Sequence, residues 1–232
     1  MPKFNANLTM LFKEVDFLDR FERAARAGFK AVEFLFPYEW DKNELQGRLQ
    51  DNNLQLVLHN MPPGQWAAGE RGIACLPDRV TEFREGVGRA IEYATALGCE
   101  RLNCLAGIPP ATESPEQVQQ TLVSNLRYAA EETQKAGIVL MAEALNAQDM
   151  PGFALNSTRQ ALALLEVVDH PNLYMQYDIY HMQIMEGDLV RTIEKNLARI
   201  AHLQLADNPG RHEPGTGEIN YPFVFDALDR MG

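Results

Sequence analysis

Apolar and polar positions alternate along this chain in two kinds of block. Short, continuous apolar runs are separated by longer stretches whose apolar residues recur at helical spacing. The run Gly137-Ile138-Val139-Leu140-Met141-Ala142-Glu143-Ala144-Leu145-Asn146 is the clearest of the short kind. Its centre is too short and too uniformly apolar for an amphipathic helix and predicts a buried strand. Glu143 falls where that strand leaves the core. The runs Leu173–Asp178 and Ile200–Gln204 repeat the pattern, ending on Asp178 and Gln204. Residues 4–8, 29–36, 54–59 and 101–105 predict four earlier strands. Helices are predicted over 15–27, 43–52, 79–97, 114–136, 157–168, 188–199 and 223–230. Gly28, Gly98 and Gly137 stop three of them, and Ser114-Pro115 and Ser157 start two. Residues 60–77 and 207–217, rich in Pro and Gly, are long loops of the functional kind.

Seven strand–helix units in strict alternation, without a break in composition, predict a parallel sheet in one domain over residues 1–232. Seven units in this length fit a (β/α)₈ TIM barrel whose eighth unit is missing. The rival is an open doubly wound sheet. The Rossmann glycine fingerprint and the P-loop are both absent, so no nucleotide site supports it. A barrel lacking a strand leaves the first and seventh strands with unpaired edges. The expectation is therefore a domain truncated before strand 8, with the natural protein running past Gly232. A seven-stranded assembly completed by another chain is the alternative.

In such barrels chemistry sits at the C-terminal ends of the strands. Side chains alternate along a strand, so Glu143 shares a face with Met141, Asp178 with Gln176, and Gln204 with His202. If these faces point inward, two carboxylates and an amide oxygen converge, a donor set suited to Mg²⁺ or Mn²⁺. Each of the three could instead cap a neighbouring helix or loop. Three at successive strand ends point to one site. His181 is expected on the loop just above, to hold substrate, move a proton or pack the loop. The same roles are open to His59, at the end of the third strand. Arg71 and Arg211 are candidate carboxylate clamps or solvated surface charges. His202, one layer deeper than Gln204, is expected as a satisfied core histidine. Glu33 is expected in a structural role, with facing the mouth or pairing with a barrel cation as the alternatives. Trp66 is expected to cover the site or pack its loop, and Cys104 to pack as a small apolar residue.

Composition narrows the partners. The 232 residues carry 21 Lys and Arg against 32 Asp and Glu, a net charge of −11. That excess argues against nucleic acid and against an anionic membrane surface. An anionic substrate must then be held by local cations. Three cysteines without metal-type spacing suit a reduced, cytoplasmic protein. The first residues lack the apolar stretch of a signal peptide, and no run has the length of a membrane span. Self-association into a homo-oligomer is left open.

Three motifs carry a resemblance: Glu143-Ala144-Leu145-Asn146, Tyr177-Asp178-Ile179-Tyr180-His181-Met182-Gln183, and the segment from His202 to Tyr221 containing Asp207-Asn208-Pro209-Gly210-Arg211-His212-Glu213-Pro214-Gly215-Thr216-Gly217. Together with residues 4–8, 32–38 and 66–75, they resemble the hydroxypyruvate isomerase family of xylose-isomerase-like barrels. The resemblance covers essentially the whole chain. It implies a divalent metal held by Glu143, Asp178, Gln204 and a glutamate on an eighth strand. That second glutamate, expected beyond Gly232, would also partner Glu143 in proton transfer. Glu218 cannot replace it, because it lies in the loop after the seventh strand. The implied reaction converts hydroxypyruvate to tartronate semialdehyde through an enediolate, with His181 and Arg211, and Arg71 as helper, orienting the small keto-acid substrate. Alternatives are an isomerase of a related keto acid such as 2-oxo-tetronate, a ketose 3-epimerase, a metal-dependent endonuclease and a non-catalytic binding barrel.

Overall fold

The structure, a computed structural model, describes residues 2–232. Its seven strands are β1 (Ala6–Asn7), β2 (Ala31–Phe34), β3 (Gln55–Asn60), β4 (Arg101–Cys104), β5 (Val139–Glu143), β6 (Leu173–Asp178) and β7 (Ile200–Gln204). Each pairs in parallel with the next, so spatial order follows chain order. The helices are α1 (Arg20–Arg26), α2 (Lys42–Asp51), α3 (Val80–Leu97), α4 (Pro115–Lys135), α5 (Thr158–Val168), α6 (Ile179–Met185), α7 (Leu189–Asn196) and α8 (Tyr221–Met231). No described helix is long and apolar enough to cross a membrane.

Local chemistry sets the boundaries. Ser114 accepts the main-chain N–H of Gln117, and Pro115 fills the first helical position of α4. Ser157 caps α5 in the same way, through Gln160. Gly98 closes α3 in the left-handed region, at φ +64°, where a Cβ would be costly. The outer face of the sheet is apolar. Leu102, Leu140 and Ala142 join Val87 and Ala90 of α3 and Leu126 and Ala130 of α4 in one buried cluster.

The inner face is polar toward the C-terminal ends of the strands. Register sets Asn7 beside Glu33, Asn60 beside Asn103, Glu143 beside Gln176, and Asp178 beside Gln204. His202 and Gln204 on β7 reach Glu33 on β2, so the sheet curls far enough to bring distant strands within hydrogen-bond range. This is the expected TIM-barrel curvature, with β1 and β7 as the edges of the described sheet. All five residues of β7 are partly exposed, whereas four of the five in β5 are buried.

One expectation about a site element is corrected. His181 does not lie on a loop. It sits in the first turn of α6, which starts directly at the end of β6. Asp178 is both the last strand residue and the helix N-cap, its side chain accepting the Tyr180 N–H at 2.9 Å.

Candidate active site

Glu143 and Asp178 end β5 and β6, and both are buried. Oxygen atoms of the two, with a ring nitrogen of His181, lie within 4.8 Å of one another. Burial, and then the charge of Asp178, push the Glu143 carboxyl up to about 8. Arg211, Gln176 and Asn103 work in the opposite direction. Asn103 on β4 donates its amide N–H to Glu143 Oε2 at 2.9 Å. Two carboxylates crowded in a dry place are what a cation, a shared proton or both must neutralise.

Asp178 Oδ2 faces Arg211 at 3.1 Å and His181 Nε2 at 3.6 Å. The His181 tautomer follows from its other nitrogen. Nδ1 lies 3.2 Å from the Asn146 main-chain N–H and 2.7 Å from the Asn146 Nδ2 amide. Asn146 cannot be turned around, because its Oδ1 already accepts the N–H groups of Gln148 and Asp149. Nδ1 is therefore an acceptor, and in the neutral ring Nε2 carries the proton. Burial lowers the His181 pKa and favours that neutral ring. A protonated Nε2 is a poor cation ligand and a good donor to a substrate oxygen.

Arg211 arrives on the loop after β7. Asp207, fully buried, accepts the main-chain N–H groups of Asn208, Gly215 and Ile219 at 2.8–3.1 Å and ties this loop into a knot. Arg211 takes a left-handed backbone, φ +58°, and lays its guanidinium over the Tyr180 ring at 5.0 Å. The Tyr180 hydroxyl donates to Asp149 at 2.8 Å.

Gln204 neighbours Asp178 by register. Its Oε1 accepts from Gln176 Nε2 at 2.8 Å, and its Nε2 donates to Glu33 Oε1 at 2.5 Å. Glu33 also accepts from Asn7 at 2.9 Å and pairs with His202 at 2.8 Å.

The structure brings Glu143, Asp178, His181, Arg211 and Gln204 together and leaves two candidates apart. His59 faces the helix-covered side, its ring edge on Tyr38, which meets Tyr93 of α3. Its Nδ1 lies 3.1 Å from the Asn60 carbonyl, and burial drives its pKa down to about 4. Asn60, one residue on, takes the inward position that His59 was expected to share. Arg71 stacks on Trp66 at 4.1 Å, and its Nη1 donates to the carbonyls of Trp66 and Glu70. Trp66 leans on Phe36 at 5.1 Å, so the two form a platform rather than part of the carboxylate cluster.

Residues that the chemistry-bearing motifs did not single out complete the site. Asn103 Oδ1 and Gln176 Oε1 are buried acceptors without a hydrogen-bond partner among the described residues. Such atoms call for a donor or a cation. A polar residue inside an otherwise apolar strand was the available signal for both, and Gln176 was already expected on the face of Asp178. Asn146 was legible only as the end of the motif that opens on Glu143, and Asp149 gave no signal.

A parallel β/α barrel sheet with paired acidic side chains at its strand ends defines a class of proteins that carry their chemistry at that rim. Within it, residues 21–232 match the family described as xylose isomerase-like TIM barrel, and the chain belongs to that family. It is 56% identical to hydroxypyruvate isomerase of Escherichia coli (strain K12) over 229 residues, 99% of this chain and 89% of that protein. It is 48% identical to 2-oxo-tetronate isomerase of Pectobacterium atrosepticum, over 100% of this chain and 88% of that one. The crystal structure of an AP endonuclease, family 2, from Brucella melitensis superposes with a TM-score of 0.97 at 46% identity, covering 100% of this chain and 90% of that chain.

Proposed function

We propose that the protein is an isomerase of a small keto acid, interconverting hydroxypyruvate and tartronate semialdehyde. The observation that carries the chemistry is the pair Glu143 and Asp178, with Glu143 held at a proton affinity near neutral pH. The substrate is read from the similarity to the E. coli enzyme, which covers nearly the whole chain.

Glu143, Asp178 and the Gln204 oxygen would hold Mg²⁺ or Mn²⁺; the crowded carboxylates and the unpartnered Asn103 and Gln176 oxygens fit a cation-bearing site. When bound, such an ion supplies Lewis-acid polarisation of the substrate's carbonyl and hydroxyl oxygens. The rest is proton traffic. The hydroxymethyl carbon of hydroxypyruvate loses a proton to a carboxylate, giving an enediolate. A proton returned to the former carbonyl carbon gives the aldehyde, and the hydroxyl proton passes between the two oxygens. Glu143, with its raised pKa, suits either carbon-bound transfer. By resemblance to that family, the second acid/base would be a glutamate on a strand pairing between β7 and β1. His181 Nε2–H donates to a substrate oxygen, and Arg211 orients the substrate carboxylate. Three buried free thiols suit a reduced, cytoplasmic setting.

A second reading, an isomerase of 2-oxo-tetronate, rests on the Pectobacterium relative and would use every residue named here. An AP endonuclease activity, the name carried by the Brucella protein, is disfavoured by the net charge of −11. The test is turnover of hydroxypyruvate and of 2-oxo-tetronate, each with and without Mg²⁺ or Mn²⁺. Metal-dependent turnover of hydroxypyruvate by the higher kcat/KM supports the proposal. Preference for the four-carbon acid selects the second reading, and turnover of neither overturns both.

A further inference from the structure

Among the proposed oxygen donors, Gln204 differs from Glu143 and Asp178 in kind. A carboxylate can turn either oxygen to a cation. An amide has an oxygen at one end and an NH₂ at the other, and a half-turn about its last bond exchanges them. A hard divalent ion takes the oxygen and gains nothing from the NH₂. A glutamine ligand therefore works only if something decides which way its amide points.

We infer that Glu33 makes that decision, acting as a positioning residue from the opposite side of the barrel. An ionised carboxylate only accepts hydrogen bonds, so the Gln204 atom 2.5 Å from Glu33 Oε1 must be the NH₂. The Gln204 oxygen is then turned toward β6, the strand of Asp178, where Gln176 Nε2 meets it at 2.8 Å. Glu33 is itself fixed. Asn7 of β1 donates to Oε1 at 2.9 Å, and His202 of β7 pairs with Oε2 at 2.8 Å. The carboxylate is buried, so water does not compete for these bonds. Glu33 lies on β2, and nothing in the proposed proton transfer needs it. The role assigned to the Gln204 oxygen rests on the metal site proposed above; the direction of the amide does not.

The test uses Glu33→Gln, which keeps size and hydrogen bonding but lets position 33 donate as well as accept, so both orientations of Gln204 find partners. Two readouts are taken on the full-length protein. The first is the Gln204 side-chain NH₂ signal in ¹⁵N–¹H spectra of metal-free protein, assigned by its loss in Gln204→Glu. It is expected as a single pair of resonances in the parent and as two sets, or an exchange-broadened pair, in Glu33→Gln. The second is Mn²⁺ affinity by titration, expected to fall about ten- to a hundredfold in Glu33→Gln. In the pair Glu33→Gln/Gln204→Glu, position 204 carries a carboxylate that presents an oxygen either way round. Adding Glu33→Gln to Gln204→Glu is therefore expected to cost no Mn²⁺ affinity, whereas a merely structural role for Glu33 would cost as much there as in the parent. An unchanged NH₂ signal and Mn²⁺ affinity within twofold in Glu33→Gln would overturn the inference. If that variant does not fold, Glu33→Asp, which keeps the charge but withdraws it from Gln204, is read in its place by the same two measurements and against the same limits. A parent protein that binds no Mn²⁺ counts against the metal site, and the NH₂ signal still decides the orientation.

Discussion

Glu143 shows how one side chain is given two properties that conflict in water. It must hold a charge to serve a cation or a base, and it must tolerate holding a proton to act as an acid. Burial and the nearby Asp178 favour the protonated form, while Arg211, Gln176 and Asn103 favour the charged one. The balance leaves its proton mobile near neutral pH. Glu143→Gln keeps the shape and removes the mobile proton. Turnover is expected to drop about 10²–10⁴-fold, with circular dichroism unchanged and the metal-free melting temperature at pH 8 equal or higher, because a buried like-charge repulsion is gone. Turnover within tenfold of the parent would take Glu143 out of the chemistry. At this scale the sequence was partly legible. Glu143, Asp178 and Gln204 stood out because each ends an apolar run, and their inward faces followed from alternation by two. His59 also ended such a run, yet it faces the helices. The inward position belongs to Asn60, because β3 runs one residue beyond its apolar stretch.

Elements were legible where the apolar pattern is unbroken and obscure where one residue serves two elements. The expected bounds of β6 and β7 agree with the structure to the residue. The first turn of α6 was missed because Asp178 closes a strand and caps a helix at once. The loop after β7 read as Pro- and Gly-rich, and its order comes from a single buried carboxylate. Burial works against the Asp207 charge, yet N–H groups of Gly217, Ile219, Gly215 and Asn208 outweigh it and hold the pKa below the usual value. Gly217 is required there, since a Cβ would lie 2.5 Å from Asp207 Oδ1 and closer still to the Asn208 carbonyl. Asp207→Asn replaces one acceptor oxygen by an NH₂ facing main-chain N–H donors, at a cost of about 1–3 kcal/mol. Hydrogen exchange is expected to accelerate across residues 208–219, and KM to rise more than kcat falls, because Arg211 loses its fixed approach to Asp178. Unchanged exchange in that loop would show that other bonds hold it.

For the whole molecule, the buried histidines and Glu143 set opposing slopes of stability against pH. His59, held at about 4, stays neutral in the fold while the unfolded chain takes up a proton below about 6.5. Its contribution is therefore present above that value and lost as pH falls toward 4, up to ~3 kcal/mol. Glu143, held at about 8, keeps its proton in the fold while the unfolded chain releases it near 4.3. Stability is thus lost as pH rises through that window. His181, also held below its ordinary value by burial, adds to the His59 slope, so the histidines outweigh Glu143 below about 6.5 and only the Glu143 slope remains above it. The metal-free melting temperature is expected to rise from about pH 5 to 6.5 and to fall from about 6.5 to 8. Glu143→Gln should abolish the fall, and His59→Phe should flatten the rise. A divalent ion reverses the upper limb, because it binds the ionised pair in the fold and has no such pair in the unfolded chain. At a hundred times its dissociation constant, Mn²⁺ adds about 2.7 kcal/mol, or roughly 5–10 °C for a chain of this length. Because binding competes with the Glu143 proton, the gain at fixed Mn²⁺ concentration should grow from pH 6 to pH 8. A gain that is equal at both values would mean that the ion binds away from Glu143, and a melting curve indifferent to Mn²⁺ would remove the metal from this site.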